Sequence, residues 1–192
     1  GIAAANGSII GVAPAAKLVV IKVCTSSGSC SDDDIIPGLE WCANNATAFN
    51  ISVISLSLGA DCDTQPSLCY NTFCNSDPLA SYINTAVGKN ITVTIASGND
   101  GNRTHISSPS CVQNATAVGG TTKSDAIASF SNLNSLVKLV APGATITSTS
   151  MSGGSASLSG TSMSTPHVAG VVAIIKQFLN LTNQGKTPKE IE

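Results

Sequence analysis

The chain has 192 residues, of which 42% are hydrophobic and only 10% charged, and its formal net charge at pH 7 is −2. This length and composition suffice for one domain with its own core, which we expect to span residues 1–192. With nine basic and eleven acidic residues, the chain lacks the basic stripe of a nucleic-acid-binding protein. Its longest apolar run, at 168–175, is too short for a membrane-spanning segment.

The first half of the chain alternates strands with helices. Residues 32–46 predict a helix that Asp33 or Asp34 caps, with Pro37 in its first turn, and residues 79–90 predict a second helix that stops at Gly88. This order is typical of a parallel α/β sheet with right-handed crossovers and flanking helices. The buried strands that these helices separate are predicted at 17–23, 51–58 and 91–96.

The second half adds shorter strands around 115–120 and 136–143, and then a helix from about Thr161 to Phe178. Ligands of parallel sheets bind beyond the carboxyl ends of the strands. Two glycine-containing segments, 57–60 and 96–99, are predicted at that edge. The sequence therefore favours a functional site there.

Six of the seven cysteines stand in or near predicted loops, and the cysteine spacing is not that of the CxxC pairs of a zinc site. Disulfides formed in an oxidising compartment are the better interpretation, and we therefore expect an exported protein. The odd number leaves one thiol free or paired outside this chain, and the connectivity stays open. The cysteines are Cys24, Cys30, Cys42, Cys62, Cys69, Cys74 and Cys111.

Ser162, in SGTSMSTPHVAG at 159–170, is a candidate nucleophile. Gly160 allows a tight turn, so that Ser162 falls at the start of a helix, where backbone N–H groups lack partners and the helix dipole is positive. A tetrahedral oxyanion would be stabilised there. The alternative is that Ser162 merely caps a buried helix, because serine is a common cap.

Asn99, in TIASGND, ends a predicted buried strand. An asparagine side chain at such a strand end can donate a hydrogen bond to the same oxyanion. The alternative is a plain turn residue, since Asn-Asp-Gly-Asn is typical of turns.

Together, these segments resemble the subtilisin-like serine proteases, the subtilases of peptidase family S8. GTSMSTPHVAG resembles the serine motif of that family, and four further segments match in order and spacing. The match covers nearly the whole chain. The four segments are GVAPAAKLVVIKV, VISLSLG, TIASGNDG and VKLVAPG.

The resemblance implies a three-layer subtilisin-like α/β fold and a secreted or cell-surface serine endopeptidase that works through an acyl-enzyme. Ser162 would be the nucleophile, and its backbone N–H and the Asn99 side chain the oxyanion donors. An extended polypeptide would bind as an added strand, and a propeptide is a further implied partner. The implied substrate-binding residues are Ser57, Leu58 and Gly59 on one wall, and Ala96, Ser97 and Gly98 on the other.

The family's aspartate and histidine motifs have no counterpart in this sequence. Gly1 resembles a glycine that follows the catalytic histidine, so we expect an incomplete domain that is inactive and of doubtful stability on its own. His167 lies five residues after Ser162, about 500° around the same helix, and therefore points elsewhere. His105 stands in a polar loop.

We expect no metal and no cofactor. Many relatives bind calcium through a loop near the start of this region, but AANGSIIGVAP is too short to supply it, and SDDDI is explained by helix capping. Two other functions remain open. A non-catalytic pseudo-protease or peptide-binding module would carry replaced upstream residues, and an unrelated esterase would need the second glycine of G-x-S-x-G, which GTSMS lacks.

Overall fold

The computed structural model describes residues 1–191, which form four α-helices and eight strands. The helices are α1 Asp32–Asn44, α2 Ala80–Gly88, α3 Thr161–Leu181 and α4 Pro188–Ile191. The strands are β1 Val53–Leu56, β2 Cys69–Tyr70, β3 Thr92–Ala96, β4 Ile106–Ser107, β5 Thr116–Thr121, β6 Leu139–Pro142, β7 Ile146–Thr149 and β8 Ser155–Leu158. A 3₁₀ turn occupies Pro66–Leu68.

A four-stranded parallel sheet in the order β1-β3-β5-β6 forms the centre of the molecule. Every residue of β3 and β5 is buried, as expected for inner strands of a sheet that is covered on both faces. The other four strands form two antiparallel pairs, β2 with β4 and β7 with β8. The predicted parallel α/β architecture is thus confirmed.

The helices bury the two faces of this sheet in separate clusters. The larger cluster joins α1 and α2 to β1 and β3 through residues such as Leu39, Ile83 and Ile95. The smaller cluster joins α3 to β5 and β6 through Val118, Val168 and Val172. Within residues 1–191, no helix is both long and apolar enough to cross a membrane.

The predicted strand at 17–23 is wrong. This segment has no regular structure, and Leu18 and Val20 are 62% and 86% exposed. A strand needs a neighbour that satisfies its N–H and C=O groups, and no described strand pairs with this segment. Its far end packs instead on α1, where a Cβ on Gly38 would lie 3.1 Å from Val23.

The start of α1 also differs from the prediction. The N-cap of α1 is Ser31, so that Pro37 falls in the second turn and not in the first. Three aspartates then occupy the first turn, where the helix dipole favours acidic side chains. Helix α2 does end with Gly88, but the left-handed residue beyond it is Asn90, at φ +62°.

Six of the seven cysteines form disulfides, which confirms the oxidised interpretation and the single unpaired thiol. The pairs are Cys24–Cys30, Cys62–Cys69 and Cys74–Cys111. The free thiol belongs to Cys42, which is buried in α1, and burial raises its pKa. Two of the disulfides hold the loop at 61–77 that follows the end of β1.

Lys176, on the buried side of α3, is only 6% exposed, and its Nζ donates to the backbone oxygen of Asn90. Burial lowers the pKa of Lys176 from 10.5 to about 8. The folded protein therefore holds this proton less tightly than the unfolded chain, so burial of the charge opposes folding below pH 8.

Lys176→Met should remove a pH-dependent part of the stability. The Lys176 contribution to the free energy of unfolding rises as pH increases from about 8 towards 10.5, because the penalty of the buried charge disappears. Urea unfolding of wild type and variant should show a stability difference that shrinks by about 1–2 kcal/mol between pH 7 and pH 10. The exposed Lys89→Met is the control, and an equal response of both variants would contradict the prediction.

Candidate active site

Three segments meet at the carboxyl edge of the sheet. Because β1 and β3 are parallel neighbours, residues 57–59 and 97–99 leave the sheet on the same side. Helix α3 begins at that edge. Two hydrogen bonds show this, one from Ser57 to α3 and one from Thr161, the first residue of α3, to Asn99. The Ser57 hydroxyl donates to the backbone oxygen of Ser162, 105 residues away, at 2.8 Å.

Ser162 is the second residue of α3 and is half-buried. Its Oγ donates to the backbone oxygen of Ser57 at 3.3 Å, a long contact that leaves the hydroxyl accessible. No acceptor within residues 1–191 receives the backbone N–H of Ser162. The positive end of a long helix therefore presents a hydroxyl and a free N–H donor side by side.

Asn99 is exposed, but its amide is oriented by Thr161. The backbone N–H of Thr161 donates to Oδ1 of Asn99 at 2.7 Å, and the Thr161 hydroxyl donates to the same oxygen at 3.0 Å. Both contacts require the carbonyl end of the Asn99 amide to face Thr161. Its Nδ2 group, which has no acceptor among the described residues, remains to donate to a ligand.

Two glycines are required by this geometry. Gly98 has φ +112°, and a Cβ there would collide with Nδ2 of Asn132 and Oγ of Ser107. Gly160, just before α3, has φ +155° and ψ 162°, a conformation that is essentially restricted to glycine. A Cβ on Gly160 would lie 3.4 Å from Oδ1 of Asn99, which shows how closely the two loops approach.

The residues expected to bind substrate form two different walls. Ser57 and Gly59 are exposed and Leu58 is half-buried, so the first wall has accessible backbone. On the second wall, Ala96 and Ser97 are buried. A Cβ on Gly59 would lie 3.7 Å from the backbone oxygen of Ala96, so the two walls lie close to each other.

Neither histidine hydrogen-bonds to Ser162. His167 Nδ1 lies 2.8 Å from the backbone oxygen of Met163, one turn earlier on α3. His105 Nδ1 lies 2.7 Å from the hydroxyl of Thr104. Within residues 1–191, Ser162 therefore has no hydrogen bond to a histidine that could act as its base.

Sequence reasoning missed Thr161 and Asn132, both completely buried. Thr161 orients Asn99, and Asn132 contacts the loop on either side of it. The signal for Thr161 was its place directly before Ser162 in GTS. Asn132, in the segment ASFSN, carries no motif that points to the site.

A cluster of three aspartates lies near this edge. The carboxylates of Asp61, Asp63 and Asp100 come within 4.8 Å of one another. Asp61 accepts the backbone N–H groups of Asp63 and Thr64, and Asp100 accepts that of Cys62. These internal bonds account for the cluster, and we assign no metal to it.

The fold and the site together define a parallel α/β sheet whose carboxyl edge carries a serine at a helix N-terminus. The family model described as the subtilase family matches residues 1–192, and the chain belongs to that family. It is 44% identical over 178 residues to M-protease of Shouchella clausii (strain KSM-K16), covering 92% of this chain and 42% of that protein. It is 43% identical to Subtilisin Savinase of Lederbergia lenta, covering 92% of this chain and 60% of that protein.

Solved structures agree with this membership. The crystal structure of a cold adapted subtilisin-like serine proteinase superposes with a TM-score of 0.76 at 36% identity, over 94% of this chain and 59% of that one. The Prenylagaramide maturation protease PagA also reaches a TM-score of 0.76, at 25% identity, over 94% of this chain and 62% of that one. The chain thus spans roughly half the length of the relatives that it matches.

Gly98→Ala should destabilise the protein by at least about 3 kcal/mol, because the new methyl group combines a positive φ with a collision against Asn132 and Ser107. Gly88→Ala is the matched control, since a Cβ there meets nothing within 4 Å. Chemical denaturation measures both. Equal stability of the two variants would show that the loop at Gly98 is not packed as described.

Proposed function

We propose that the protein is a serine endopeptidase that hydrolyses peptide bonds of extended polypeptides through an acyl-enzyme. The observation that carries the proposal is the pairing of two donors beside one hydroxyl. The backbone N–H of Ser162 and Nδ2 of Asn99 have no acceptors among the described residues, and Thr161 fixes the Asn99 amide in the orientation that donation requires.

In the proposed reaction, Oγ of Ser162 attacks the carbonyl carbon of the scissile bond and gives its proton to a general base. The carbonyl oxygen becomes an oxyanion that accepts from Ser162 N–H and Asn99 Nδ2. Collapse of the tetrahedral intermediate breaks the C–N bond, and the protonated base returns its proton to the leaving amine. Water then hydrolyses the ester by the same steps.

The base and the carboxylate that orients it are proposed to come from outside residues 1–192. In support, the rings of His105 and His167 are engaged with Thr104 and Met163 and do not reach Ser162 by a hydrogen bond. A serine hydroxyl without a base is a weak nucleophile at neutral pH. A polypeptide of residues 1–192 alone should therefore hydrolyse no peptide at a measurable rate.

The substrate is proposed to lie as an added strand between Ser57–Gly59 and Ala96–Gly98, and a propeptide would use the same surface. The exposed backbone at Ser57 and Gly59 supports strand addition, because main-chain hydrogen bonds can form along it. The three disulfides support an extracellular or cell-surface location.

Ser162→Ala should abolish covalent labelling by a fluorophosphonate probe in protein expressed from the complete coding sequence, because the probe phosphonylates only an activated serine. Ser164→Ala, two residues along the same helix and buried, should label like wild type. Intact-protein mass spectrometry gives the readout. A wild-type protein that stays unlabelled while properly folded would favour the pseudo-protease, and labelling that survives Ser162→Ala would place the nucleophile elsewhere.

Asn99→Ala should lower kcat for a peptide substrate by about 10²–10³-fold and leave KM nearly unchanged, since the lost donor acts mainly on the oxyanion of the transition state. Steady-state kinetics of the full-length protein measures both constants. Asn114→Ala, at an exposed position, is the control. A kcat within twofold of wild type in Asn99→Ala would remove Asn99 from the proposed mechanism.

A further inference from the structure

We propose that Asn132 is a positioning residue that holds Asn99 in register with Ser162, a role that rests on the proposed function. Asn132 is fully buried, with 0% of its surface exposed. It lies outside β5 and β6, in the connection between them, and contacts no residue of α3 through a described hydrogen bond. Its shortest hydrogen bonds run instead to the loop that carries Asn99.

The Asn132 side chain holds the loop just beyond Asn99. Its Oδ1 accepts the backbone N–H of Asp100 at 3.0 Å and that of Asn102 at 2.9 Å. Its Nδ2 donates to Oδ2 of Asp100 at 2.6 Å. One amide thus satisfies two backbone donors and one carboxylate of the segment that follows Asn99.

The Asn132 backbone holds the residues just before Asn99. Its N–H donates to the oxygen of Gly98 at 3.0 Å, and its oxygen accepts from the Ser97 hydroxyl at 2.8 Å. Asn132 therefore bonds to the chain on both sides of Asn99 and never to Asn99 itself. The glycine at 98 makes this possible, because a Cβ there would occupy the place of Nδ2.

The far side of the Asn132 amide is supported by the disulfide-bonded loop. Nδ2 lies 3.6 Å from Sγ of Cys62 and 3.5 Å from Oγ of Ser107. Cys62 also donates its backbone N–H to Oδ1 of Asp100 at 3.0 Å. The Asp100 carboxylate thus joins Asn132 to the loop that Cys62–Cys69 closes.

This arrangement matters because Asn99 is exposed and, among the described residues, its side chain is oriented by Thr161 alone. Thr161 sets the direction of the amide, whereas Asn132 sets the position of the backbone from which it projects. An oxyanion donor that is displaced by a fraction of an ångström stabilises the transition state less, while substrate binding along the two walls is hardly affected.

The test is a double-mutant cycle between Asn132→Ala and Asn99→Ala in protein expressed from the complete coding sequence. Asn132→Ala alone should lower kcat roughly tenfold to a hundredfold with KM within about twofold of wild type. In the Asn99→Ala background, Asn132→Ala should lower kcat by less than about twofold, because the donor that it positions is gone. Ile83→Ala, a fully buried truncation on α2, should lower the melting temperature and leave kcat unchanged.

Equal loss of kcat in both backgrounds, or no loss in either, would overturn the positioning role. Absence of peptide hydrolysis by the wild-type protein would overturn the proposed function, and the positioning role with it. These results are distinct, because the first two concern Asn132→Ala and the third does not involve it.

If Asn132→Ala does not fold, a variant in which Asn132 and Asp100 exchange residue types keeps the test decisive. Asn132→Asp retains the acceptor for both backbone N–H groups but sets a carboxylate against that of Asp100, and kcat should fall. Adding Asp100→Asn restores a donor to the pair with the direction reversed and still accepts from Cys62 N–H, so kcat should recover to within about threefold of wild type. An exchanged pair that is no better than Asn132→Asp alone would overturn the role.

Discussion

The contact between Thr161 and the Gly98–Asn99 pair is the interaction on which the site depends. It joins the carboxyl end of β3 to the amino end of α3, and the two segments are more than sixty residues apart. The Thr161 backbone N–H is one of the donors that a helix N-terminus leaves unpaired, and Asn99 supplies its acceptor. The same bond therefore caps the helix and orients the Asn99 amide, the proposed oxyanion donor.

The rest of the fold positions the two segments that make this contact. The parallel pairing of β1 with β3 brings Ser57 to the same edge, where it and Ser162 exchange hydrogen bonds. Helix α3 packs along the sheet through Val168 and Val172, which fixes the direction in which its first turn points. Ser162 is consequently held by a rigid element, which its proposed role as a nucleophile beside two donors requires.

Four polar side chains around the site are fully buried. Ser97, Ser107, Asn132 and Thr161 have at most a trace of exposure, and each makes hydrogen bonds within the protein. Buried polar groups that are fully paired favour one arrangement over its alternatives, whereas an unpaired one is costly. The small residues that are abundant in this sequence allow the close backbone approach that such pairing needs.

Much of the fold could be predicted from the sequence, and so could the meeting of the Ser162 and Asn99 segments at one edge of the sheet. The apolar runs at β1 and β3 and the SGTSMS segment have strong local signals, and Ser162 and Asn99 stand where those signals end. The strand at 17–23 was predicted wrongly because an apolar run does not reveal whether a neighbouring strand will pair with it. Asn132 could not be predicted, since its role comes only from tertiary contacts with Asp100 and Asn102.

The most direct measurement is a crystal structure of the full-length protein after reaction with a fluorophosphonate, whose tetrahedral phosphonyl group stands in for the oxyanion intermediate. The arrangement described here predicts a covalent bond to Oγ of Ser162, with one phosphonyl oxygen at hydrogen-bond distance from both Ser162 N–H and Asn99 Nδ2. A phosphonyl oxygen that points to solvent, or an Asn99 amide turned away from it, would contradict the assignment of the two donors.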